Sequence, residues 1–148
     1  MEIFTEKILN VLVLGILFLL TGCIGEDYDF TPPSVTLFES DIPLIEANID
    51  WSSDKQYKKE TKDILLLAKK QKQMSVSPNK QDLITFDSED FEVYELTIYL
   101  WKQDEKTKLE LDKNRHFNFP KEKGEYLIEV DLLTDKGAAG YVGNVAVE

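Results

Sequence analysis

Thiols, imidazoles and guanidinium groups are almost missing from these 148 residues, which hold one cysteine (Cys23), one histidine (His116) and one arginine (Arg115). A single cysteine excludes an internal disulfide framework and any paired-cysteine redox or zinc motif. A single histidine excludes the HExxH zinc motif, and a Ser-His-Asp triad would have to be built on His116 alone. A glycine-rich phosphate loop is absent as well. Positive charge is short: 17 basic against 28 acidic side chains give a net charge of −11. That balance excludes a general nucleic-acid binder, which needs a basic footprint. It also opposes broad attraction to anionic lipid or wall polymer. The apolar run from Ile8 to Leu20, broken only by Asn10 and Gly15, is shorter than the roughly 20 residues a spanning helix needs.

What is present begins with that run and its close, Leu20-Thr21-Gly22-Cys23. Small residues at Thr21 and Gly22 let a peptidase bring the backbone close, and the Cys23 thiol is the atom that accepts a diacylglyceryl group. These four residues and their leader resemble the lipobox of bacterial lipoproteins. The resemblance implies a signal peptide over 1–22, cleavage before Cys23, and lipidation of Cys23. The leader's positive end is weak, because Glu2 and Glu6 oppose Lys7. One acyl chain binds a membrane marginally, at about 0.8 kcal/mol per buried CH₂, whereas two hold stably. A lipidated Cys23 would thus anchor the protein at the extracytoplasmic face of the cell membrane. A buried structural thiol and a catalytic nucleophile are the other readings of Cys23. A nucleophile needs a base nearby, and His116 is far along the chain. Without Glu2, Glu6 and Lys7 the net charge becomes −10.

Residues 23–33, ending in Pro32-Pro33, read as a solvated tether with a stiff last step. Residues 34–148 read as one domain, too short for two cores. Ser34 to Phe38 and Leu44 to Ile49 are the first strands. Between Asp54 and Lys72, seven lysines (Lys55, Lys58, Lys59, Lys62, Lys69, Lys70, Lys72) surround the apolar knot Ile64 to Ala68. Ile64, Leu67 and Ala68 share one face at helical spacing, which predicts a short amphipathic helix against a sheet edge. Its lysine face reads as solvated, with contact to anionic envelope polymer as the functional alternative. From Met74 the pattern is all-β: Met74 to Val76, Leu83 to Phe86, Val93 to Trp101, Thr107 to Leu111, His116 to Phe119, Glu125 to Thr134 and Ala138 to Val147. Over Val93 to Trp101, Leu96, Ile98 and Leu100 point one way and Thr97, Tyr99 and Trp101 the other. Tyr126, Ile128, Val130 and Leu132 alternate against Glu129 and Asp131. Asp135-Lys136-Gly137 signals a hairpin, and Gly143 a bulge or close backbone approach.

Short strands with turns every 8–12 residues or so predict a mainly β chain folded as a sandwich, with one short helix. Phe117-x-Phe119 followed by Gly124-x-Tyr126-x-Ile128 resembles the tyrosine corner of immunoglobulin-like domains. There a tyrosine near the start of the penultimate strand bonds back to upstream backbone. The resemblance assigns that role to Tyr126 and places Ile128 where antibody domains carry a cysteine. Residues from about 74 onward are also similar to a group of uncharacterised lipoproteins of Bacillus-like bacteria. The shared features are an apolar strand ending at Trp101, the run Phe117 to Tyr126, and Gly140-Tyr141-Val142. That likeness implies the immunoglobulin-like fold and the anchor and brings no activity.

Two clusters invite a ligand. Asp87, Glu89, Asp90 and Glu92 form the best metal candidate, but they lack the alternate-position spacing and turn glycine of an EF-hand loop. A solvated inter-strand loop is the plainer reading. Trp51, Trp101, Tyr57, Tyr94 and Tyr99 could stack on sugar rings, whereas core or edge packing is the commoner use of such residues. Trp51, beside Asp50, is expected to be partly exposed. The expectation is a membrane-anchored binding or protein-interaction module, with a protein partner at the cell envelope, no cofactor, no enzymatic activity and no nucleic acid. The alternative is a surface lipoprotein that binds a small ligand, a glycan or calcium.

Overall fold

A computed structural model describes residues 31–148, so the leader, Leu20-Thr21-Gly22, Cys23 and most of the tether lie outside the described residues. The strands are β1 (Val35–Leu37), β2 (Ile42–Pro43), β3 (Ile45–Ser52), β4 (Gln56–Lys59), β5 (Met74–Val76), β6 (Gln81–Phe86), β7 (Val93–Lys102), β8 (Glu105–Leu109), β9 (His116–Asn118), β10 (Gly124–Thr134) and β11 (Gly137–Val147). The helix is α1 (Ile64–Lys69). A four-stranded sheet, ordered β2-β1-β6-β9, faces a seven-stranded one ordered β4-β3-β11-β10-β7-β8, with β5 also on β11. Every pairing is antiparallel except β5 with β11. The chain crosses between sheets from β6 to β7 and returns from β8 to β9. The two sheets thus form an antiparallel β-sandwich with crossing connections.

Period-two alternation explains which side chains enter the core. Ile98 and Leu100 on β7 stand opposite Val130 and Ile128 on β10, and all four are buried. Tyr141 and Val145 extend this inner face onto β11, while Leu37, Ile84 and Phe117 close it from the other sheet. Burying each such side chain is worth about 1.5–3 kcal/mol. Tyr126 Oη donates to the Glu122 carbonyl at 2.7 Å, four residues upstream, and so pins the chain entering β10. Ile128 is fully buried beside it in sequence register with the core. Tyr141 Oη donates to the Pro33 carbonyl at 2.6 Å. Burial, followed by the Glu46 and Asp87 carboxylates, raises the pKa of that phenol, so it stays a donor. Pro32 and Pro33 are themselves buried, so the last residues of the expected tether pack on the domain.

Three local expectations need correction. Trp51 is only 2 % exposed and meets Phe91 edge-on at 5.5 Å between ring centroids. Its polar neighbours reflect alternation along β3, which runs further than expected. Lys58 and Lys59 lie on β4, paired with Asp50 and Ile49, so the lysines do not share a helix face. The helix packs on the outer face of the seven-stranded sheet, over β11, β10 and β3, and not against an edge. Asp63 caps it, its side chain accepting from the Leu66 N–H, and Ala68 is its buried anchor against Ala47 and Val142. Gly143 has the close approach: an added Cβ would sit 2.6 Å from the Leu44 side chain. The bulge falls elsewhere. Asn48 pairs with Gly140 and Glu46 with Tyr141, leaving Ala47 as the extra residue. On either side of it, Ile45 turns to the helix layer and Ile49 to the sandwich core.

Candidate functional site

The outer face of the seven-stranded sheet is half covered. Helix α1 lies over one flank, and the large side chains of β7 stand on the other. Between them runs a groove of about 350 Å³. Ala138, Gly140 and Val142 of β11 form its floor, Asp131 and Leu133 of β10 its middle, and Glu95, Thr97 and Tyr99 of β7 its far wall. Ile64 of α1 and Asn48 of β3 close the near side. Strand register fixes this arrangement, because Asp131 pairs with both Thr97 and Gly140, and Glu129 with both Tyr99 and Val142.

The carboxylates are unusual for an outer face. Glu129 is only 5 % exposed. Its Oε2 lies 3.1 Å from Lys106 Nζ, and its Oε1 accepts from Trp101 Nε1 at 3.4 Å. Lys106 reaches it by crossing the Tyr99 ring, 3.9 Å from the centroid, and passes the Trp101 ring at 5.3 Å. Cation–π attraction and the ion pair therefore hold the same ammonium. Two residues on, Asp131 shares the face without sharing that partner. Burial pushes its pKa up to about 7, and the Glu129 carboxylate adds to the rise by repelling a second charge and accepting the proton; Lys106 works weakly the other way. Glycine at position 140 makes the room, since a Cβ there would stand 3.3 Å from Asp131 Oδ1. The alternating strand pattern had set Glu129 and Asp131 on the face opposite Tyr126, Ile128, Val130 and Leu132. The signal for their cover was the bulk of Tyr99 and Trp101 at outward positions of the neighbouring strand.

The acidic run is not assembled into a cation site. Asp87 Oδ1 accepts from the Ser34 N–H at 2.7 Å, Glu89 pairs with Arg115, and the Glu92 N–H donates to Asp135. Asp90 is exposed. Among the described residues no group of three or more His, Cys, Asp or Glu side chains is placed to hold a metal ion. The aromatic set is divided too: Trp51 is in the core, and Tyr57 is half-buried with its hydroxyl on Glu46. Tyr94 is exposed, Tyr99 lines the groove, and Trp101 meets the groove only through Glu129. His116 is half-buried on β9, its Nδ1 3.4 Å from Asp112. Among the described residues no helix is long and apolar enough to cross a membrane. No protein-family model matches the chain, and a search of curated proteins finds no match to it.

Proposed function

We propose that the chain is a lipid-anchored binding module at the extracytoplasmic face of a bacterial membrane, held there through Cys23, and that its partner docks along the outer groove. The observation that carries this reading is the groove itself. It sets apolar side chains (Ile64, Leu133, Val142) beside a carboxyl pair on a rigid sheet. A sheet fixes side chains more precisely than loops do, which suits recognition. An envelope protein segment is the partner class we favour, because exposed Leu133 extends the apolar surface out of the groove. The groove's volume also lies within the range of small-ligand sites, which is the one observation favouring capture of a small molecule instead.

In-cell crosslinking of the tagged protein followed by mass spectrometry tests the proposal. The same partner should be captured by the anchored protein and lost from both Cys23→Ser, which removes the anchor, and Leu133→Asp, which charges the groove wall. A partner retained by both variants would refute the reading.

A further inference from the structure

We propose that Asp131 and Glu129 form a proton-sharing pair that switches the groove between two charge states, with Trp101 as its internal reporter. Asp131 and Glu129 take successive outward positions on β10, about 7 Å apart along the backbone, so their side chains stand side by side on one face. Glu129 is tied on both oxygens, to Lys106 and to Trp101 Nε1. Asp131 is set over Gly140 and lines the groove.

The charges facing it are few. Strand β7 supplies Glu95 and the Tyr99 phenol, β8 supplies Lys106, and β10 supplies Glu129 itself. The residues that line the groove from β11, β3 and α1 (Ala138, Gly140, Val142, Asn48, Ile64) are all uncharged. Three carboxyl groups therefore face one ammonium, and that ammonium is already bound to Glu129. Among the described residues no cation pairs with Asp131, so it takes up a proton and donates it to Glu129. When the proton leaves, the groove gains one full negative charge and Glu129 loses a donor. Burial sets the midpoint of this change, at about 7.

The change is optically readable. Trp101 is hydrogen-bonded to Glu129 and lies beside Lys106, whereas Trp51, the other tryptophan, is sealed in the core. Any effect on a partner rests on the binding role proposed above; the titration does not, so the two can fail separately. The experiment is tryptophan fluorescence of the full chain between pH 5 and 9, with a parallel ¹³C NMR titration of the Asp131 carboxyl carbon. The expected result is one sigmoidal change centred near 7, abolished in Asp131→Asn and shifted to lower pH in Glu95→Gln. His116 lies on the other sheet, so His116→Gln should leave the curve in place. A flat fluorescence curve, a curve that survives Asp131→Asn, or a carboxyl carbon that titrates near 4 would overturn the proposal.

Discussion

Replacing Asp131 with asparagine should make the protein more stable, by an amount that grows from about pH 4 to about pH 7 and holds above it. In the folded state the Asp131 pKa is raised from 3.8 to about 7, first by burial and then by Glu129. The folded protein therefore holds a proton that the unfolded chain releases above about pH 4. Stability linked to this group is complete below pH 3.8 and drains away as pH rises to about 7. Each pKa unit corresponds to 1.36 kcal/mol, so a fully buried group would lose about 4 kcal/mol over the interval. Asp131 is half-buried, and water reaching the groove reduces that to about 1–2 kcal/mol. Asparagine keeps a donor for Glu129 and has no charge to desolvate. Urea denaturation of both proteins at pH 4, 6 and 8 measures the difference. The gain should be near zero at pH 4 and reach about 1–2 kcal/mol at pH 8, an upward Tm shift of about 3–8 °C. A gain independent of pH, or a loss of stability at pH 8, would refute the reasoning.

Other substitutions probe the frame that carries the groove. Tyr126→Phe removes the bond to the Glu122 carbonyl and should cost about 1 kcal/mol in chemical denaturation, without changing the fold by circular dichroism. Asp82 is fully buried, and its carboxylate accepts backbone N–H groups of Glu39, Ser40 and Leu83. Asp82→Ala should therefore cost about 3 kcal/mol or more by the same assay, and Asp82→Asn less, because one acceptor oxygen remains. Gly137 combines φ +134° with a Cβ position 2.0 Å from the Asp50 carbonyl oxygen. Gly137→Ala should prevent the β3–β11 pairing from closing, seen as loss of amide protection along Gly137–Val142 in hydrogen exchange.

Alternation made most of the sandwich legible. Leu96, Ile98 and Leu100 against Thr97, Tyr99 and Trp101 fixed both faces of β7, and Tyr126 to Leu132 did the same for β10. Strand β4 was not legible. Gln56–Lys59 has no apolar period, and its conformation comes from pairing with β3. Trp51 was misjudged because polar neighbours in a strand mark the opposite face and not exposure. The groove was hidden for a related reason. Alternation tells which residues face outward, but the cover over Glu129 comes from Trp101 and Lys106 on other strands, brought there by register. The acidic run from Asp87 to Glu92 looked like a site in one dimension; in three, Asp87 serves a backbone N–H and Glu89 an arginine.

Docking along the outer groove is the central claim, and a photo-crosslinking amino acid placed by position tests it most directly. Substituted at Glu95 or Leu133, on the groove, it should yield one shared adduct in cells carrying the anchored protein. Substituted at Thr36 on β1 or Asn118 on β9, both on the other sheet, it should not. Adducts of equal yield at all four positions, or confined to Thr36 and Asn118, would contradict the account.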